Sequence, residues 1–385
     1  MTVLAARTAD TVTFHAVELF KQATALQRSG IDIISLGVGE PDFTAAPQVI
    51  QAMQLAAQSG KSGYSPPAGL PELREAIAGF YTTQLGAKVD PNRVIVTSGA
   101  SGALLLAAMA LINPGDEVLM PDPCYPPNRN FVGAAGGTTK LIPTTIANRF
   151  QLSDTDIAQH WGPATRGVLI ASPSNPTGTS IPRDALTRLI KQVHARNGFV
   201  MMDEIYLSLS YDGTRQSALA IDDNLIILNS FSKYFNMTGW RLGWMIVPTH
   251  MVEPIEKMAA SLAICAPTLA QHGAIACFEP DALALFEQRR EAFRQRRDYL
   301  VPALKSLNIE VPVTPDGAFY IYGDISAHSS DSSAFSAALL NGARVAAVAG
   351  LDFGPAHAAH TMRFAYTTGL ERLQEAIHRM KVFLG

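Results

Sequence analysis

Residues 168–203 read VLIASPSNPTGTSIPRDALTRLIKQVHARNGFVMMD. The stretch opens and closes on short apolar runs, 168–172 (VLIAS) and 199–203 (FVMMD), of the kind that forms strands buried on both faces. Between them Leu186, Leu189, Ile190 and Val193 recur at helical spacing, and Gly198 is where the helix is expected to stop. Strand, helix, strand is the repeating unit of a parallel sheet, because parallel neighbours need a crossover between them. The same alternation extends outward. Residues 93–97 (RVIVT), 118–121 and 225–229 are further strand candidates, and the apolar run 240–247 is expected in the same sheet. The sequence therefore predicts an α/β fold: a large domain over residues 46–274 with a mainly parallel sheet flanked by helices. After about residue 275 the pattern changes to a long charged helix over 282–307, strand candidates at 319–322 and 362–366, and a closing helix. This predicts a smaller α+β domain, 275–385. Residues 1–45 are expected to fold with it, because they precede the first sheet strand.

A chain of 385 residues exceeds what one core usually serves, which agrees with two domains. Charged residues are 16% of the total against roughly 25% in an ordinary soluble domain. So little charge implies a large buried apolar area, part of it in a subunit interface. A formal net charge of -3 offers nothing to nucleic acid or to an anionic membrane surface. Cys124, Cys265 and Cys277 are too few and too scattered for a disulfide framework or a zinc site. No stretch approaches the ~20 apolar residues of a membrane span, and the first residues lack a signal-peptide core. A soluble cytoplasmic protein is expected.

Chemistry concentrates in residues 230–243, SFSKYFNMTGWRLG. A lysine just beyond a buried strand is costly unless it is paired or chemically used, and a Schiff base to an aldehyde is one such use. Arg241, inside a strand-like apolar run, calls for an anionic partner; with Ser230 it could hold a phosphate. Taken singly, a surface lysine and a salt-bridged arginine are the commoner readings of these two residues. Residues 98–102 (SGASG) follow a strand and open an apolar helix over 103–112, so backbone N–H groups could face a phosphate there. By itself that is an ordinary strand-to-helix turn. Asp203 and Tyr206 end one strand and Asn175 follows another, and such strand ends converge where parallel sheets bind ligands.

With these motifs in order, the chain resembles the fold-type I pyridoxal-phosphate-dependent aminotransferases of class I/II. The resemblance runs nearly end to end, from 36–43 (LGVGEPDF) to Arg363, and rests on Ser-x-Ser-Lys with an arginine eight positions on, Ser-Asn-Pro-Thr-Gly at 174–178 and Asp-Glu-Ile-Tyr at 203–206. It implies that Lys233 binds pyridoxal 5'-phosphate as a Schiff base and shuttles the substrate proton, and that Asp203 keeps the pyridine nitrogen protonated. It implies that Asn175 and Tyr206 hydrogen-bond the 3'-oxygen and that Tyr125 stacks on the ring. Ala100, Ser101, Ser230 and Arg241 would hold the phosphate, with Tyr64 reaching in from the other subunit of a homodimer, and Ser232 would support Lys233. Arg363 would grip the substrate α-carboxylate as a bidentate fork, with Gly37 as a backbone contact.

The activity so implied is amino transfer from an L-amino acid to a 2-oxo acid, 2-oxoglutarate or pyruvate, by a ping-pong mechanism. A pyridoxal-phosphate β-lyase or synthase on the same fold is the alternative. Ser101 stands where some aspartate-specific members carry a lysine for the side-chain carboxylate, and Ala349 where many carry proline; alanine, aromatic and branched-chain donors stay open. Three weaker signals are set aside. Gly37-Val-Gly39 lacks the third glycine of a dinucleotide loop, and His357 with His360 lacks further metal ligands. The arginines at 289–297 are interleaved with Glu287, Glu291 and Asp298, as in a solvated, ion-paired helix.

Overall fold

The computed structural model describes residues 3–5, 8, 11, 15–213 and 215–385, so the expectation for residues 1–45 lies partly outside the described chain. Thr165–Ala171 and Phe199–Asp203 are parallel neighbours, joined through the helix Arg183–His194. The helix buries Leu186, Leu189, Ile190 and Val193; each such side chain contributes about 1.5–3 kcal/mol when fully buried. It ends at His194, earlier than expected. The left-handed residue after it is Asn197, at φ 56°, which asparagine tolerates better than most side chains. Gly198 instead serves close packing, since a Cβ there would come within 2.2 Å of the Trp161 ring.

The central sheet has seven strands in the order Val94–Thr97, Gly243–Ile246, Ile226–Ser230, Phe199–Asp203, Thr165–Ala171, Glu117–Asp122, Thr138–Pro143. Only Gly243–Ile246 runs against the others, antiparallel to both neighbours. The expected strand at 240–247 is thus shorter than its apolar run, and Arg241 stands outside it. The edge strand Thr138–Pro143 has no sequence signature of the buried kind, because most of its residues are only partly covered. The remaining strands share one direction, so Thr97, Asp122, Ala171, Asp203 and Ser230 end at one edge.

C-terminal to the long helix Pro280–Lys305, the strands Val348–Ala349, Thr361–Ala365 and Tyr320–Asp324 form an antiparallel sheet. Ile34–Ser35 pairs in parallel with Val345–Ala346, tying the early chain to this part. The arginine-rich helix is only half as expected. Arg290 and Arg294 pair within the helix with Glu287 and Glu291 at 2.9 and 2.6 Å. Arg296 and Arg297, however, are buried, and Arg296 makes a two-pronged bond to Asp42 at 2.8 and 2.9 Å. That face of the helix also carries Phe293 and Leu300 into the core, so these guanidinium groups are drawn in with it.

Candidate active site

At the carboxyl edge of the central sheet lies a cavity of about 400 Å3, walled by that sheet, the antiparallel sheet and the helix His15–Arg28. Gly37, Ala100, Ser101, Tyr125, Asn175, Asp203, Tyr206, Ser230, Lys233, Arg241 and Arg363 all line it. Tyr64 does not; it is 82% exposed on the outside of the chain.

One end of the cavity is rich in donors. The helix Gly99–Leu111 begins here, with its unpaired N-terminal N–H groups around Ala100 and Ser101. Ser230 Oγ lies beside it, bonded to Ser232 Oγ at 2.9 Å and to the Leu242 carbonyl at 3.1 Å, and accepts the Ser232 N–H at 3.0 Å. Arg241 corrects the expectation of a buried strand residue: it is exposed at the rim, in left-handed conformation at φ 51°, and donates to the Thr238 carbonyl at 2.9 Å. Two glycines permit this convergence. A Cβ on Gly99, itself at φ 73°, would lie 2.6 Å from the Arg241 guanidinium, and one on Gly243 would lie 2.6 Å from the Gly99 carbonyl carbon. Any side chain at either position would fill the space between arginine, helix start and strand.

Deeper in, Lys233 Nζ donates to the Gly39 carbonyl at 2.6 Å. Burial pulls its amine down to about 8; the Arg363 and Arg241 charges add to this, and Glu40 and Asp203 oppose it. Asp203 is pushed up to about 6 by burial, against the Ile205 N–H it accepts at 3.0 Å and the Lys233 charge. Such a carboxylate is well served by a cationic N–H donor entering the cavity. Beside it, Tyr206 exchanges a 2.9 Å hydroxyl contact with Tyr320, and burial lifts the Tyr125 phenol to about 12.

Arg363 is 2% exposed, in a strand whose residues are all buried rather than alternating. Its Nη1 donates to Asn175 Oδ1 at 2.9 Å and its Nη2 to the Gly37 carbonyl at 2.7 Å, both neutral acceptors. Its Nε has no partner among the described residues. The guanidinium lies 4.4 Å from the Tyr320 ring centroid and 5.0 Å from that of Phe353. A buried cation with neutral partners and a spare donor invites an anion.

Sequence reasoning missed several members of the site. Tyr320 and the helix His15–Arg28 carry no motif and meet the cavity only through folding, Phe353 lies against Arg363, and Gly39 was quoted within 36–43 with no role for its carbonyl. Glu204 was quoted within a motif but given no role. It lies buried behind Asp203 and accepts from Ser217 Oγ at 2.9 and 3.0 Å, the Ala218 N–H at 2.7 Å and the Tyr81 hydroxyl at 3.3 Å.

A dianion cradle, a buried amine of lowered basicity and a buried carboxylate at one sheet edge suit the phosphate, aldehyde and ring nitrogen of pyridoxal phosphate, on an α/β framework of fold type I. The family model for aminotransferase class I and II matches residues 31–380. The chain is 36% identical over 373 residues to the valine–pyruvate aminotransferase of Mycobacterium tuberculosis, with 96% of each chain covered. It is 34% identical over 372 residues to the aspartate aminotransferase of Thermotoga maritima, again with 96% of each covered. A crystal structure of an aminotransferase from Mycobacterium tuberculosis matches with a TM-score of 0.96 at 36% identity, over 100% of this chain and 99% of that one. Aspartate aminotransferase from Thermus thermophilus with maleate matches with a TM-score of 0.94 at 32% identity, over 100% of both chains. The chain belongs to the class I and II aminotransferases. It is an aminotransferase, and its cofactor is pyridoxal 5'-phosphate.

Proposed function

We propose that this enzyme transfers the amino group of an L-amino acid with an apolar side chain to a 2-oxo acid, by two ping-pong half-reactions, with Lys233 as the covalent anchor of the cofactor. The carrying observation is the apolar part of the cavity lining. Val17, Leu19, Phe20, Val38, Leu104 and Ile205 line the cavity, and its only cationic linings among the described residues are Lys233, Arg241 and Arg363. Leu19 packs over Gly37, whose carbonyl holds Arg363, so apolar surface begins next to the carboxylate grip. A second substrate carboxylate would find no cationic partner there among the described residues. The same wall favours pyruvate over 2-oxoglutarate as acceptor. The similarity to a valine–pyruvate aminotransferase supports this reading.

When bound, pyridoxal phosphate supplies the aldehyde that takes up the amino group and the pyridinium ring that drains the electron pair from Cα. Ser230, Arg241 and the N-terminus of Gly99–Leu111 hold its phosphate in this reading. Asp203 keeps the ring-nitrogen proton in place, Asn175 and Tyr206 bond the ring oxygen, and Tyr125 covers the ring face. Arg363 fixes the substrate carboxylate, which orients the Cα–H bond toward Lys233 Nζ; that amine then lifts the proton and returns it. Valine, leucine or phenylalanine, tested against aspartate and glutamate with pyruvate, is expected to show a kcat/KM at least ~10-fold higher, equivalent to 1.4 kcal/mol. Aspartate as the best donor would sink the proposal.

We also propose a cytoplasmic homodimer whose protomers divide into residues 46–274 and a smaller unit of 1–45 with 275–385. In it, Tyr64 of each chain completes the other's phosphate site; its exposure, outside the lining of its own chain's cavity, supports this. Mixing inactive Lys233→Ala with a weakened Tyr64→Phe variant is expected to give activity above the sum of the two parents, because each heterodimer holds one intact site. Absence of recovery despite demonstrated subunit exchange counts against a shared site.

A further inference from the structure

We infer that Asp352 is a positioning residue: it holds the helix His15–Arg28 in place as the wall of the substrate pocket and so sets the preference among apolar donors. The inference rests on the pocket reading proposed above. Asp352 is 1% exposed, and its Oδ2 accepts the Ala16 N–H at 2.7 Å, a contact between residues 336 apart in sequence. Ala16 is in the first described turn of the helix, and its N–H is taken by this carboxylate from the far end of the chain. A carboxylate there accepts a backbone donor and faces the positive end of the helix dipole. The same helix carries Leu19, Phe20 and Ala23 onto the cavity wall. Much of its surface is open to solvent, with Val17 46% and Phe20 54% exposed, so packing alone holds it weakly.

Asp352 can serve as an anchor because its own turn is pinned from behind. Arg129 donates to the Asp352 carbonyl at 2.9 Å, the Cys124 N–H to the Phe353 carbonyl at 2.9 Å, and the Ala356 N–H to Asp122 Oδ2 at 3.0 Å. These bonds reach the segment that leaves the central strand Glu117–Asp122. The next residue, Phe353, places its ring 5.0 Å from the Arg363 guanidinium. It also shares an apolar cluster with Val348, against which Ala16 and Leu19 pack. One rigid turn thus fixes both the ring beside the carboxylate grip and the wall that meets the side chain. Loosening the wall penalises donors that touch it and spares alanine, whose methyl group does not reach so far.

In the cofactor-loaded enzyme, Asp352→Ala is expected to lower the leucine-to-alanine ratio of kcat/KM by about 5–10-fold, the size expected of a lost helix cap. The loss should appear in KM for leucine with kcat nearly unchanged, and the cofactor absorbance should not move. Amides of the 15–28 helix should exchange faster with solvent, while those of Gly99–Leu111 keep their protection. Ala16→Pro removes the same bond from the other side, at a first-turn position where proline is tolerated. It should reproduce the shift, and the double variant should add little further loss, because both changes remove one contact. If Asp352→Ala does not fold, Ala16→Pro carries the test alone. An unchanged ratio with unchanged helix exchange overturns the role of Asp352. Aspartate as the preferred donor of the wild type overturns the pocket reading instead, and is scored separately from the helix exchange.

Discussion

Lys233→Ala is expected to lower kcat for every amino donor by at least ~10³-fold, within the range for loss of a positioned general acid–base. The cavity's other cationic linings among the described residues are Arg241 and Arg363, whose guanidinium groups are donors only and offer no acceptor for the Cα proton. The lysine amine can take it, because burial brings it to about 8 and a usable fraction is neutral near that pH. The sign follows from the direction of the shift: its protonated form is lost as pH rises through about 8, so the cofactor-free protein should take up pyridoxal phosphate faster across that interval. Borohydride reduction of the loaded enzyme followed by peptide mapping should place the label on Lys233. A label on another lysine, or an alanine variant that keeps its kcat, removes Lys233 from this role.

Arg363→Lys is expected to lower kcat/KM for α-amino acids by at least ~10-fold, and Arg363→Ala by more. Of the five N–H groups of the guanidinium, two are used by Asn175 and Gly37, so a fork remains for a carboxylate. Lysine keeps the charge but not the planar fork, and it cannot lie against Tyr320 and Phe353 as a guanidinium does. Hydrogen bonds to charged groups contribute about 1.5–3 kcal/mol, and 1.4 kcal/mol is a factor of ten. The cofactor absorbance should stay intact, and amines without an α-carboxylate should show no comparable loss. An unchanged kcat/KM in the lysine variant would falsify the carboxylate role.

The strand-helix-strand stretch at 168–203 was legible because double-sided burial writes itself as continuous apolar runs, and an amphipathic helix as a 3.6-residue period. The partly covered edge strand Thr138–Pro143 left no such trace. The cavity-lining residues Ala100, Tyr125, Asn175, Asp203, Ser230 and Lys233 were legible for a related reason. They sit at strand ends or just beyond, and a parallel sheet brings those ends together whatever the details of packing. Arg241 was found through its motif but misplaced, since an apolar run does not reveal that Arg241 turns left-handed and stands outside the sheet.

By itself, then, the sequence determined the α/β framework, the strand-end residues and, through its motifs, the resemblance to pyridoxal-phosphate aminotransferases, because each is written in local patterns of a few residues. Only the tertiary structure decided what surrounds Arg363 and which residues wall the cavity beside it. Those contacts join Arg363 to Asn175 across 188 positions, to Gly37 across 326, and Ala16 to Asp352 across 336. No local period encodes such pairs. They exist because hydrophobic burial is non-directional, and it folded the first helix and the last strands onto one cavity.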